Sequence, residues 1–152
     1  MLLTQILELT CVKVPLDGRD KESAIIELVE LLDKNELLAD KDEVLQAVLD
    51  REKTRSTGIG AGIAIPHGKC KGVKELVMAL GISRQGLEFQ SIDAKPVYII
   101  ALLASPIDKT GPHIQALARI SRLMLDEEFK NKLQNADNAE ELYKLINEKE
   151  TE

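Results

Sequence analysis

One apolar stretch decides the fold class of this chain: Val97-Tyr98-Ile99-Ile100-Ala101-Leu102-Leu103-Ala104. It lacks the alternation of apolar and polar side chains that is typical of a strand with one face in water. We therefore expect a central strand over Val97–Ser105, covered on both faces. A second short, partly β-branched apolar segment predicts another strand over Leu76–Ser83.

Two amphipathic helices are predicted before these strands. The first follows Asp20, which can cap it, and has apolar residues at the i, i+3, i+4 and i+7 spacing of a helix packed on a core. These residues are Ile25, Leu28, Val29 and Leu32. The second follows Asp40, with Glu43 three residues later as a capping box. Its apolar residues are Val44, Leu45, Val48 and Leu49.

Three further helices are predicted after the strands. Pro112 lies just inside the first of them. Its apolar stripe comprises Ile114, Leu117, Ile120 and Met124. The other two cover residues 126–134 and 138–147, and the charged segment Glu148–Glu152 is expected to be a frayed, solvated end. This order of elements predicts an α/β fold.

Composition limits the classes of protein to which the chain can belong. Its 152 residues, 44% hydrophobic and 30% charged, suit one globular domain over residues 1–152. The net charge of −6 and the absence of a basic patch with interleaved aromatic residues argue against nucleic acid as a partner. No apolar run approaches the roughly 18 residues of a membrane span, and no leader segment is recognisable, so we expect a cytoplasmic protein without membrane insertion. Cys11 and Cys70 are expected to be free thiols.

One of the two histidines lies in a glycine-rich run, Thr57-Gly58-Ile59-Gly60-Ala61-Gly62-Ile63-Ala64-Ile65-Pro66-His67-Gly68. Imidazole changes its charge near neutral pH, and its neutral form is a nucleophile. A histidine held between Pro66 and Gly68 therefore suggests chemistry at this position. Judged from these residues alone, His67 also fits an ordinary surface or turn position.

Three segments together resemble one protein family. Residues 51–69, from Arg51 to Lys69, resemble the active-site signature of the fructose/mannitol-type enzyme IIA of the bacterial phosphoenolpyruvate-dependent sugar phosphotransferase system, which includes the nitrogen-regulatory IIA proteins. The segments Gly86–Val97 and His113–Ser121 resemble the same family in order and spacing. The resemblance covers nearly the whole chain and implies a mixed, mostly parallel sheet flanked by helices.

The resemblance also implies a role for each site residue. His67 would accept a phosphoryl group from the phosphohistidine of the carrier HPr and pass it to a cysteine or histidine of a IIB protein. Arg51 would stabilise the charge of the transferring group with its planar guanidinium. His113, near the start of a helix behind Pro112, would act as a hydrogen-bond donor. Without the resemblance, Arg51 is more typical of a solvated surface position, and His113 fits a surface position at a helix start as well as it fits a site.

The neighbours of His67 carry two further expectations. Pro66 restricts the backbone, and Gly68 is expected to let the donor phosphate and its carrier approach the imidazole ring. Arg55 and Lys69 could add positive charge, although the sequence does not separate them from ordinary surface residues. Ala61 stands where relatives often have an acidic or amide residue, so a hydrogen bond made there in those relatives is expected to be absent.

Other kinds of site fit the sequence less well. A metal centre at His67, His113 and Cys70 lacks a ligand motif, and Gly68-Lys69 is followed by cysteine rather than by the serine or threonine of a P-loop. No metal and no cofactor is implied. The serious alternative is a regulatory module in which phosphohistidine is a switch for other proteins. A freestanding IIA domain fits that role and a separate sugar-specific subunit equally well.

Overall fold

A computed structural model describes residues 1–152. It contains five α-helices, six β-strands and a short 3-10 turn over Leu3–Gln5. The elements in chain order are β1 (Leu7–Lys13), α1 (Lys21–Lys34), α2 (Lys41–Thr54), β2 (Gly58–Gly60), β3 (Ile63–Ala64), β4 (His67–Lys69), β5 (Val77–Leu87), β6 (Val97–Ser105), α3 (Thr110–Leu123), α4 (Glu127–Gln134) and α5 (Ala139–Glu150).

The strands form one mixed sheet in the order β1-β5-β6-β3-β2, and β4 also pairs with β6. The pairs β1/β5, β3/β6 and β4/β6 are parallel, whereas β2/β3 and the long β5/β6 pair are antiparallel. Helices flank this sheet, and the apolar side chains between the layers form one core. The expected α/β fold with a mixed sheet, parallel in most of its pairings, is confirmed.

Strand β6 has the predicted bounds and lies at the centre of the molecule. Every residue in it is buried except Tyr98, which is half-buried. Its C-terminal end runs beside β4, where Leu103 pairs with His67 and Ser105 with Lys69. The other predicted strand, β5, extends beyond Ser83 to Leu87. The central strand therefore supports the glycine-rich run that carries His67.

Helices α1 and α2 begin at the predicted caps. The carboxylate of Asp20 accepts a hydrogen bond from the Ser23 N–H at 2.8 Å, and that of Asp40 accepts one from the Glu43 N–H at 3.1 Å. The capping box is only half formed, however, because the Glu43 carboxylate accepts from the Lys71 N–H at 3.2 Å. Glu43 thereby ties the start of α2 to the segment that follows β4.

Two expectations about the C-terminal half were wrong. Ile114 is 59% exposed, because the face of α3 that packs on the core is the one containing His113, Ala116 and Ile120. The end of the chain is not simply frayed, since α5 continues to Glu150. The Glu150 side chain is fully buried and binds the Arg119 guanidinium at 2.7 Å.

Sequence patterns also missed β1 and the three short strands β2, β3 and β4. Each of the short strands has only two or three residues, too few to show a period of two. None of the helices is both long and apolar enough to cross a membrane. Cys11 and Cys70 are buried free cysteines, and burial raises the pKa of the Cys11 thiol to about 11.

Candidate functional site

The glycine-rich run folds into a hairpin that delivers His67 to the central strand. Gly60, Ala61 and Gly62 have φ angles of +97°, +56° and +84°, a left-handed backbone that lets β2 turn back onto β3. The chain then enters β4, whose first residue is His67. The Pro66 carbonyl accepts a hydrogen bond from the Leu103 N–H at 3.0 Å, so β6 holds the backbone directly before the histidine.

The His67 ring is held in a single orientation by its own backbone. Nδ1 lies 2.8 Å from the Ile65 carbonyl oxygen, which can only accept, so Nδ1 donates and carries the ring proton. Nε2 is then the bare, nucleophilic nitrogen. Burial lowers the pKa of His67, as does the nearby charge of Arg51, while the hydrogen bond to Ile65 opposes them. His67 therefore presents a neutral imidazole at pH 7.

A cavity of about 220 Å³ opens beside His67. Its lining contains two arginines and no carboxylate. The lining residues are Arg51, Arg55, Ser56, Thr57, Ile59, Ile65, His67, Ile92, Leu117 and Ser121. An anion that enters this cavity meets positive charge although the whole chain has a net charge of −6. The site thus suits a phosphoryl group better than the overall composition suggests.

Arg51 lies in the last turn of α2 and lines the same cavity as His67. Its Nη1 donates a hydrogen bond to the Arg55 carbonyl at 2.8 Å, which restrains the guanidinium. Lys69 reaches the site from β4, where its charge lowers the pKa of both histidines. Its ammonium group lies 3.4 Å from the Thr110 hydroxyl at the start of α3.

His113 lies against the His67 ring, with 5.4 Å between the ring centroids and 62° between the ring planes. It is in the first turn of α3, as expected, but is only 3% exposed and does not line the cavity itself. Burial, followed by the charges of His67 and Lys69, lowers the pKa of His113 to about 4. The imidazole is therefore neutral at pH 7, chiefly through burial.

Ser105, which the sequence did not single out, fixes the second histidine. Its hydroxyl lies 2.8 Å from His113 Nδ1 and has no other hydrogen-bond partner. If Nδ1 carried the proton, the fully buried hydroxyl hydrogen would have no acceptor, at a cost of about 1–3 kcal/mol. The Ser105 hydroxyl therefore donates to Nδ1, and the proton of His113 resides on Nε2. The only available signal was a polar residue at the end of the apolar stretch 97–105.

The structure changes the interpretation of Gly68 and shows the contacts of Ala61. A side chain at Gly68 would meet the backbone of α2 at 3.0 Å from the Val48 nitrogen, so this glycine permits helix packing rather than the approach of a partner protein. Ala61 is exposed, and only its backbone makes polar contacts. Its N–H donates to Asp93 at 2.9 Å, and its carbonyl accepts from Lys130 at 2.8 Å.

Comparisons with known proteins show the family of this chain. The family model described as phosphoenolpyruvate-dependent sugar phosphotransferase system, EIIA 2, matches residues 5–149. The chain belongs to this family. As an EIIA protein, it is a component of a phosphotransferase system.

Similar EIIA relatives are of two kinds. The chain is 34% identical over 148 residues to the fructose-specific EIIABC component of Bacillus subtilis (strain 168), covering 97% of this chain and 23% of that protein. It is 34% identical over 149 residues to a nitrogen regulatory protein of Klebsiella oxytoca, covering 96% of this chain and 90% of that protein. The crystal structure of the nitrogen regulatory protein IIA-Ntr from Neisseria meningitidis superposes with a TM-score of 0.86 at 30% identity, covering 93% of this chain and 97% of that one.

Proposed function

We propose that this EIIA protein accepts a phosphoryl group from phospho-HPr on His67 and passes it to a IIB protein in the cytoplasm. The observation that carries the proposal is the bare Nε2 of a neutral His67, beside a cavity lined by two arginines and no carboxylate. In the EIIABC relative, the letters of the name place A, B and C components in one protein. That arrangement supports a IIB acceptor for the phosphoryl group.

The transfer is an exchange between two nitrogen–phosphorus bonds. The lone pair of His67 Nε2 attacks phosphorus, and the bond between phosphorus and the donor imidazole breaks with its electron pair returning to that ring. Because Nδ1 of His67 stays bonded to Ile65, the charge of the phosphorylated ring is stabilised in place. Arg51 stabilises the equatorial oxygens, and the Nε2–H of His113 donates to one of them.

A regulatory role is the second candidate. The chain has the same 34% identity to a fructose-specific component and to a nitrogen regulatory protein. In the regulatory case, phosphorylation of His67 would place about two negative charges at the cavity and change which proteins dock there. The phosphorylation chemistry is the same in both cases. The difference is whether His67 passes the phosphoryl group to a IIB protein or whether the phosphorylated chain controls other proteins.

Reconstitution tests the proposal directly. The purified protein, incubated with phosphoenolpyruvate, enzyme I and HPr, is expected to take up one phosphoryl group per chain. The group should be lost in acid, because a phosphoramidate hydrolyses there whereas a phosphoserine survives. Addition of purified fructose-type IIB should then remove it. Failure to take up phosphate from phospho-HPr would contradict the phosphocarrier proposal, and uptake without transfer to any IIB protein would favour the regulatory candidate.

Arg51→Lys is expected to slow transfer from phospho-HPr about ten-fold or more. Lysine keeps the positive charge but loses the planar fork that binds two oxygens of one phosphorus, and ten-fold corresponds to about 1.4 kcal/mol of transition-state stabilisation. Rapid-quench kinetics measure the effect, and circular dichroism checks the fold. Lys53→Arg, in the same helical turn but outside the cavity, is the matched control. Equal rates for Arg51→Lys and wild type would assign Arg51 to the solvated surface.

A further inference from the structure

Glu52 is a buried carboxylate next to Arg51 that does not line the cavity at His67. Its side chain is 4% exposed and accepts three hydrogen bonds. Oε2 accepts from the Thr57 N–H at 2.9 Å and from the Lys21 ammonium at 3.0 Å, and Oε1 accepts from the Thr57 hydroxyl at 2.6 Å. A desolvated carboxylate is stable only with such partners, so Thr57 is held at both of its donor groups.

Thr57 is connected to the nucleophile by two more hydrogen bonds. Its carbonyl accepts from the Ile65 N–H at 3.1 Å. The Ile65 carbonyl in turn accepts from Nδ1 of His67 at 2.8 Å. A continuous path of hydrogen bonds therefore runs from Glu52 through the backbone of two residues to the ring that carries the bare nitrogen.

We propose that Glu52 is a positioning residue for phosphoryl transfer, which holds the Ile65 carbonyl where it fixes both the orientation and the tautomer of His67. The proposal rests on the proposed function of His67. Glu52 does not line the cavity, and its hydrogen bonds reach His67 only through Thr57 and Ile65. Displacement of a nucleophile by about 1 Å can cost as much as 10²-fold in rate, so a small shift of this carbonyl has a large effect.

The charge of Glu52 has a second effect, which also favours phosphoryl transfer by His67. Its negative charge raises the pKa of His67, whereas Arg51 and Lys69 lower it. The basicity of His67 therefore depends on the balance between one negative charge, on Glu52, and two positive charges, on Arg51 and Lys69. Loss of the Glu52 charge should make Nε2 less basic as well as less well oriented.

Glu150 provides a matched control for a purely structural role. Its side chain is also buried, and it accepts from the N–H groups of Leu3 and Thr4 at 2.7 and 3.1 Å and from Arg119 at 2.7 Å. Like Glu52, Glu150 accepts hydrogen bonds from two uncharged donor groups and from one cationic side chain. Its partners lie at the N-terminus and on α3, and none of them lines the cavity beside His67.

The test compares Glu52→Gln with Glu150→Gln. The glutamine amide places a donor against the Thr57 donors, so we expect kcat for transfer from phospho-HPr to fall about ten-fold or more while KM stays within about two-fold. Glu150→Gln should lower the melting temperature but leave kcat within about two-fold of wild type. Equal kcat values for the two variants would overturn the proposal. If Glu52→Gln does not fold, Glu52→Asp is tested in its place, because aspartate keeps the negative charge but its side chain is too short to bind Thr57 in the same way.

A spectroscopic readout separates this proposal from the proposed function. In the unphosphorylated protein, ¹⁵N NMR of His67 should show a protonated Nδ1 and a bare Nε2. Glu52→Gln should mix the two tautomers and lower the pKa of His67, whereas Glu150→Gln should change neither. An unchanged His67 spectrum in Glu52→Gln would refute the positioning role. If the wild type accepts no phosphate yet the spectra differ as expected, Glu52 still fixes the orientation and tautomer of His67, and it is the phosphocarrier proposal that fails.

Discussion

Replacing His67 with alanine is expected to abolish uptake of the phosphoryl group from phospho-HPr. Only one other imidazole exists in the chain, His113, and it is 3% exposed with Nδ1 bonded to Ser105. No second imidazole is therefore presented to a protein donor. Labelled phosphoenolpyruvate with enzyme I and HPr measures the uptake, which should fall to the background of a reaction without HPr.

The His67→Ala experiment needs a check that the variant still folds. The ring is half-buried at the start of β4, so a modest fall in the melting temperature is expected with an unchanged circular dichroism spectrum. Replacement of Cys70, a nucleophile near His67 in sequence, by serine is the companion control and should leave uptake intact. Label on the His67→Ala protein would show that the phosphoryl group is carried elsewhere and that the central proposal is wrong.

The sequence predicted the elements that are long enough to show a repeating pattern of apolar residues. Strand β6 was predicted because apolar residues fill a complete buried strand, and α1 to α3 were predicted because their apolar residues repeat at helical spacing. The short strands β2 to β4 form only because β6 supplies hydrogen-bond partners to β3 and β4. No local pattern in two or three residues contains that information.

Tertiary contacts explain the expectations that failed. The charges of residues 148–152 predicted a solvated end, but Glu150 bonds the Leu3 N–H across 147 positions of sequence. Gly68 was expected to let the donor phosphate and its carrier approach the His67 ring, yet the space that it leaves is filled by α2. In both cases the deciding neighbour is remote in sequence, so composition and spacing could not reveal it.

In the site, too, residues within a recognisable local motif could be predicted, whereas residues that matter through distant contacts could not. The run around His67 and its flanking glycines was recognisable, and the resemblance to EIIA proteins directed attention to Arg51 and His113. The structure brings these three residues together at one end of β6. Ser105 and Glu52 could not be singled out, because their importance lies in which histidine or backbone group they bind.

Replacing His113 with alanine is expected to slow phosphorylation of His67 about 10²-fold without moving the site of attachment. The loss of one donor from a preorganised site typically has an effect of this size. Transfer onward to a IIB protein should slow as well, since the same donor faces the phosphoryl group in both directions. Rapid-quench kinetics with phospho-HPr and then with IIB measure the two steps. His113→Gln, which keeps a donor amide and much of the volume, should recover part of the rate.

Ser105→Ala tests whether the tautomer of His113 matters as well as its presence. Without the Ser105 hydroxyl, nothing in the structure keeps the proton on Nε2, so we expect a rate between those of wild type and His113→Ala. Peptide mapping of the phosphorylated wild type at neutral pH decides the role itself. If His113 acts only as a hydrogen-bond donor, all of the label will be on the peptide containing His67. Substantial label on the peptide containing His113 would instead require a relay between two histidines whose rings are 5.4 Å apart, with the buried ring as the second carrier.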